Sequence, residues 1–326
     1  EQGLRSRECP KTMNTLAIVL QAPMELRLDR VGLNPPGAED VVVDVEWSGV
    51  SAGTERLLWS GRMPPFPGMG YPLVPGYESV GTVVDAGASA KNLIGQRVFV
   101  PGANCYTDVR GLFGGAARRL VTSAQRVSPI GTECAAQDGV LLALAATAEH
   151  ALAAPHARAP DLIIGHGALG RLLARLTIAH GHAAPTVWDV NPARRIGKFD
   201  YPVIDPAQDE RRDYTSIYDA SGDASLIDTL ISRVARGGEI VLAGFYDERP
   251  SFNFVPAFMR EIRLRVAAEW QPQDLASVQG LMAQGALSLS GLITHRREVA
   301  AANEAYRTAF EDSSCLKMVL DWRTCQ

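Results

Sequence analysis

From residue 13 onward the apolar residues follow two different rhythms. Up to about residue 126 they come in short runs rich in β-branched side chains, at 41–47, 79–84 and 97–100, with Gly and Pro between them. This text predicts a β-rich unit with long connections. The stretch 59–76 holds five prolines and four glycines, so it reads as a loop. From residue 138 the period lengthens: Leu141, Leu142, Leu144, Ala148 and Leu152 fit a helix that closes near Pro155. Strands at 161–165, 186–190, 215–220, 239–245 and 262–270 then alternate with helices at 168–180, 225–235 and 273–283. Gly181 closes the first of these helices and Gly237-Gly238 stops the second. Alternation of this kind builds parallel βαβ units. The expected fold class is therefore α/β, a doubly wound parallel sheet beside a β-rich unit. After 287 the text is mixed, and no internal repeat appears.

Composition narrows the partners. A chain of 326 residues suggests two domains, each able to bury its own core. The 32 basic and 36 acidic residues leave a net charge of -4 without a basic tract, so no nucleic-acid partner is expected. No run reaches the ~18 apolar residues that a membrane span needs. Cys9, Cys105, Cys134, Cys315 and Cys325 form no CxxC pair, which argues for reduced thiols and a cytoplasmic protein. The polar leader 1–12 is read as lying outside the fold, with Met13 as the natural start, and whether the tail 323–326 is native is left open. Homo-oligomer formation is left open.

The most informative motif is Gly165-His166-Gly167-Ala168-Leu169-Gly170, a GxGxxG between an apolar strand and a helix. The first Gly makes a tight turn, the second lets backbone approach a pyrophosphate, and the third lets helix pack against strand. The helix N-terminus then offers unpaired N–H groups to the phosphates. Asp189 ends the next strand, 19 residues after Gly170, where a carboxylate accepts from both ribose hydroxyls and repels a 2′-phosphate. This favours NAD over NADP. Arg194 and Arg195 could be cited for NADP, but they read first as a solvated helix face, with an arginine stacked on the adenine as the milder functional alternative. The short, Gly- and Pro-bearing segment after Asp189 predicts a reduced crossover helix.

At this point the chain resembles the medium-chain dehydrogenase/reductase family from Met13 to Trp322. The segments that carry the resemblance are Gly49-Val50-Ser51-Ala52-Gly53-Thr54-Glu55, Pro75-Gly76-Tyr77-Glu78-Ser79-Val80-Gly81, Gly95-Gln96-Arg97-Val98 and Gly237-Gly238-Glu239-Ile240-Val241-Leu242-Ala243-Gly244. The resemblance implies a GroES-like catalytic β domain over 13–147, a Rossmann dinucleotide-binding domain over 148–286, and a C-terminal return to the catalytic domain over 287–326. It also implies that Thr147 and Gly244 lie on the cofactor. Departures from the family pattern concern the metal. Ala52, Tyr77 and Ala143 stand where zinc ligands belong, and the loop after Pro101 offers only Cys105 for a second, structural zinc. Zinc needs three or four N, S or O donors, so no metal is expected at either place.

The zinc-less pattern, with the Arg62-Met63-Pro64-Pro65-Phe66-Pro67-Gly68 loop, is similar to a branch of the family that works in pigment synthesis on a tetrapyrrole. That similarity implies a small-molecule tetrapyrrole substrate and NAD-dependent oxidation of its hydroxyethyl group to acetyl. Without a metal, side chains must take the hydroxyl proton. Tyr77 is the first candidate, Thr54 a relay hydroxyl, and Glu78 a base or a group that holds Tyr77. Plain structural roles stand beside these: a phenol filling the lost histidine's space, a helix N-cap and a satisfied buried carboxylate. Ser51 is a weaker relay candidate beside a plain turn residue, and His150 reads as a helix-surface or satisfied histidine ahead of a proton acceptor near the nicotinamide end. Trp59, Met63, Phe66, Met69 and Tyr71 suit a flat apolar ligand, and Arg56 or Arg62 could meet a propionate. Two other readings remain: a zinc-free quinone or enoyl reductase, and a non-catalytic dinucleotide-binding protein.

Overall fold

The computed structural model describes residues 13–132, 134–267 and 269–325. The leader 1–12, and Cys9 with it, lie outside the described residues. The first part of the chain folds as predicted into strands joined by long connections. β1 (Met13–Ala22) and β2 (Glu25–Leu33) form an antiparallel hairpin. β3 (Asp40–Val50) leads into a short helix, α1 (Thr54–Ser60), and the Pro/Gly-rich loop follows. That loop is not wholly irregular, because α1 takes its first two residues and β4 (Leu73–Val74) pairs with β1 near its end. β5 (Ser79–Ala86), β6 (Arg97–Val100), β7 (Arg110–Gly111), β8 (Arg119–Ser123) and β9 (Ser128–Pro129) complete the unit.

The second unit opens with α2 (Leu142–Ala153), so the expected boundary at 147/148 falls inside one continuous helix. Its parallel strands are β10 (Leu162–Ile164), β11 (Thr186–Trp188), β12 (Val203–Ile204), β13 (Tyr214–Asp219), β14 (Val234–Leu242) and β15 (Arg263–Val266). α3 (Ala168–Ala179), α4 (Pro192–Arg195), α5 (Ile227–Arg233), α6 (Phe254–Arg260) and α7 (Pro272–Ala283) connect or cover them. The strand order is β12-β11-β10-β13-β14-β15. The order reverses between β10 and β13, and that is where such sheets bind ligands, beyond the carboxyl ends of the strands. α4 spans 4 residues, the reduced crossover that the sequence predicts.

Several strands are shorter than expected at their carboxyl ends: β11 stops at Trp188, β14 at Leu242 and β15 at Val266. One expectation is corrected: Gly237-Gly238 does not stop a helix. α5 ends at Arg233, and both glycines lie inside β14, where Gly237 takes a positive φ of 68°. A glycine pair can kink a strand as readily as it ends a helix.

β16 (His295–Glu298), α8 (Ala302–Glu311) and β17 (Met318–Asp321) close the chain. β17 pairs antiparallel with β3, Met318 opposite Val50, so the last strand returns to the first unit. Arg323, at the start of the tail, bonds Asp321 and lies 4.4 Å over the Trp47 ring. Among the described residues, no helix is long and apolar enough to cross a membrane.

Candidate active site

The catalytic candidates meet where β3 and α1 face the turn before β5. Ser51 follows β3 and Thr54 opens α1, while Tyr77 and Glu78 sit in the Pro75-Gly76 turn that enters β5. The two segments are tied together by the Gly49 amide donating to the Glu78 carbonyl at 2.7 Å. Tyr77 Oη lies 2.7 Å from Ser51 Oγ and 3.4 Å from Thr54 Oγ1. Burial, and then the charge of Glu78, push the Tyr77 phenol well above its ordinary pKa. Its ring meets Phe113 edge-on at 5.4 Å, and Phe113 meets Phe66 edge-on at 6.0 Å.

Glu78 does not hold Tyr77. Its two carboxylate oxygens accept from Lys317 Nζ at 2.9 and 2.8 Å, and both side chains are almost fully buried. Gly49 makes room for this pair, because a Cβ there would sit 2.1 Å from Glu78 Oε2. The same pocket buries a second carboxyl. Glu55 accepts from the Tyr306 hydroxyl at 2.6 Å and from the Ser51 amide at 3.2 Å. Burial is the main cause that pushes its pKa up to about 7, with Glu78 adding to it.

The positions where the family pattern places zinc ligands do not fit that ion. Ala52 and Ala143 supply no donor, Tyr77 offers a protonated phenol, and the neighbouring carboxylate of Glu78 is already neutralised by Lys317. Among the described residues no group of three or more His, Cys, Asp or Glu is arranged to hold a metal ion.

The dinucleotide candidates gather at the carboxyl ends of the parallel strands. Gly165 leaves β10 with a φ of 93°, and Gly167 is the N-cap of α3. Gly170 must lack a side chain, since a Cβ would lie 1.8 Å from the Gly165 carbonyl oxygen. Gly244 follows β14 and donates its amide to Asp219. Asp189 is buried just past β11 and accepts from the His166 and Asn191 amides, both at 2.8 Å. Those bonds fix the carboxylate and leave each oxygen a second lone pair for a ribose. Arg194 reaches over the second glycine, with Nη1 3.9 Å from Asp189 Oδ2 and 3.8 Å from where a Gly167 Cβ would be. Arg195 turns away and caps the carbonyls of Asp189 and Val190 while pairing with Asp205. Thr147 lies in α2 with its hydroxyl on the Ala143 carbonyl at 2.9 Å. The cradle fits a dinucleotide with a free 2′-hydroxyl.

Two histidines fall outside the reacting region. His150 Nδ1 lies 2.8 Å from Asp274 Oδ2, which ties α2 to α7 and agrees with the reading of a satisfied histidine. His166 is buried inside the glycine turn, bridging the Arg194 carbonyl and the Tyr201 hydroxyl, and burial pushes its pKa down to about 4. The sequence reading also missed Lys317, Tyr306 and Asp219. A lone lysine between Leu316 and Met318, in an otherwise apolar run, was the available signal for the first. Asp219 ends β13 at the switch point, held above the usual carboxylate range by burial, and accepts from Tyr246 and Ser221.

Fold and cradle together define a dehydrogenase of the two-unit, dinucleotide-binding class, and residues 37–132 match the alcohol dehydrogenase GroES-like domain. The chain belongs to the medium-chain dehydrogenase/reductase family. It is 58% identical over 312 residues to 2-desacetyl-2-hydroxyethyl bacteriochlorophyllide A dehydrogenase of Rhodobacter capsulatus, covering 95% of this chain and 99% of that one. The enzyme of the same name from Cereibacter sphaeroides is 58% identical over 316 residues, with the same coverage. Among solved structures, acetophenone reductase from Geotrichum candidum in complex with NAD superposes with a TM-score of 0.79 at 20% identity, covering 96% of this chain and 98% of that one. That likeness is one of fold.

Proposed function

We propose that this chain is an NAD-dependent dehydrogenase that oxidises the hydroxyethyl side chain of a bacteriochlorophyllide to an acetyl group in bacteriochlorophyll synthesis, in the cytoplasm. The observation that carries the reading is the 58% identity running through 99% of two dehydrogenases whose names state that substrate. In this reading 13–147 is the catalytic unit, 148–286 the cofactor unit and 287–326 the return.

Bound NAD supplies the acceptor for the carbinol hydride. The glycine turn of Gly165, Gly167 and Gly170 holds its pyrophosphate, Asp189 its ribose, and Arg194, Thr147 and Gly244 border it. Tyr77 receives the substrate hydroxyl. Its raised pKa means that the phenol cannot stand as a phenolate base at neutral pH. The substrate proton passes to Tyr77 as Tyr77 passes its own to Ser51 or Thr54, and that hydroxyl gives up its proton to solvent water, with half-buried Thr54 as the exit. Glu78, neutralised by Lys317, keeps the floor of the pocket rigid and takes no proton from the substrate.

Anaerobic incubation of the full chain with NAD and a hydroxyethyl bacteriochlorin, with a metal chelator present, tests this. NADH and a red-shifted acetyl pigment should appear in equal amounts. No pigment change, or turnover abolished by the chelator, would sink the reading.

A further inference from the structure

The inference here rests on the function proposed above and concerns how its substrate is held. A bacteriochlorophyllide is a free acid: a flat apolar macrocycle that carries an unesterified carboxylate away from the side chain being oxidised. A site for it needs an aromatic wall leading from the reacting hydroxyl and a cation farther along. The wall is present. Tyr77, Phe113 and Phe66 form an unbroken edge-to-face series from the phenol out to a side chain that is 37% exposed. Met63 and Met69, on the same loop as Phe66, pack against the core beneath.

The cation is Arg62, on that loop just past α1, the helix that carries Thr54. Its side chain is 56% exposed and reaches out of the catalytic unit to Asp247, with Nη1 3.2 Å from Oδ2. Asp247 lies three residues beyond Gly244, in the loop that leaves the parallel sheet at the cofactor crevice. The ion pair thus stands where the two units face each other. A pair so exposed contributes little to stability, and the guanidinium fork suits a carboxylate in two-point contact.

We propose that Arg62 is the anchor for the substrate carboxylate, and that Asp247 occupies the guanidinium until the substrate displaces it. The acid group then fixes the macrocycle on the aromatic wall with its hydroxyethyl end at Tyr77.

The test compares the free acid of the hydroxyethyl bacteriochlorin with its methyl ester, using the full chain. Wild type should show a KM for the acid roughly 10- to 100-fold below that for the ester, the range for a charge-assisted hydrogen-bonded contact. Arg62→Gln should collapse that preference to near parity by raising KM for the acid, with kcat little changed, and Arg62→Lys should restore part of it. Pigment binding without NAD, followed by fluorescence quenching, should show the same loss of preference. Asp247→Asn should lower KM for the acid a few-fold, because the competing carboxylate is gone. If Arg62→Gln weakens acid and ester alike, or Asp247→Asn weakens the acid, Arg62 is only a latch between the units and the proposal is overturned. Equal use of acid and ester by wild type also overturns it while leaving the proposed function standing. Oxidation of neither ligand removes the function itself.

Discussion

In the proposed function the Tyr77 phenol, 2.7 Å from a serine hydroxyl and 3.4 Å from a threonine hydroxyl, serves as a proton conduit rather than a proton store. Its pKa is raised by burial and by the charge of Glu78, so the neutral form dominates and the proposed transfer runs through it in concert, on to solvent water by way of a neighbouring hydroxyl. Tyr77→Phe keeps the ring and its edge contact with Phe113 but breaks the conduit. We expect kcat to fall by ~10²–10⁴, the usual contribution of a positioned acid–base group, with NAD affinity intact by titration. Ser51→Ala should lose less, because Thr54 remains within reach. Wild-type turnover by Tyr77→Phe would leave the phenol as a filler of the pocket. Tyr77 was legible in the sequence because it stands where the family pattern has a metal ligand. The preference for Ser51 over Glu78 as its partner was not, since it depends on Lys317 having already taken both oxygens of Glu78.

Helix α1 has no side-chain cap, and Glu55 in its first turn reaches back to accept the Ser51 amide ahead of the helix. The other oxygen of Glu55 takes the Tyr306 hydroxyl and so docks α1 on α8. The carboxyl is fully buried, and its pKa is raised from 4.5 to about 7, which means that folding favours the protonated form. Below pH 4.5 folded and unfolded chains are both protonated there and nothing is lost. As pH rises from 4.5 to about 7 the unfolded chain ionises first, so stability falls, by about 1.4 kcal/mol per pH unit. Above that range the loss is complete, on the order of 3 kcal/mol. Denaturant titrations across this range should show wild type losing that amount relative to Glu55→Gln, whose side chain does not titrate; parallel curves would mean that Glu55 is ionised throughout. The elements themselves were legible where local pattern decides them. β10 is buried at all three residues, as a central parallel strand should be. Gly237-Gly238 misled because the pair suits a helix stop and a strand kink equally, and only the pairing of β14 with β13 chooses between them. The contact of Glu55 with Tyr306 joins residues 251 apart, beyond any periodicity.

At the scale of the whole molecule, the catalytic pocket is finished only when the end of the chain comes back to it. β17 pairs with β3, Trp322 donates its indole N–H to Ser48 at 2.8 Å, and Lys317 delivers its ammonium to Glu78, 239 residues earlier. The floor of the pocket is therefore charged but neutral in sum, and built from two ends of the sequence. A buried pair of this kind contributes little net stability compared with an apolar replacement, yet removing one partner strands the other in a medium that cannot solvate it. Lys317→Met should therefore cost about 3–5 kcal/mol at pH 8, measured by denaturant unfolding. Adding Glu78→Gln to Lys317→Met should recover much of that loss, because a neutral amide fits the same space against Gly49 without a charge. If Lys317→Met costs less than about 1 kcal/mol, water or another cation reaches Glu78 and the pair is not what seals the returning strand. If the double variant is as unstable as the single, the loss comes from the packing of the lysine stem, and the charge of Glu78 is not the cause.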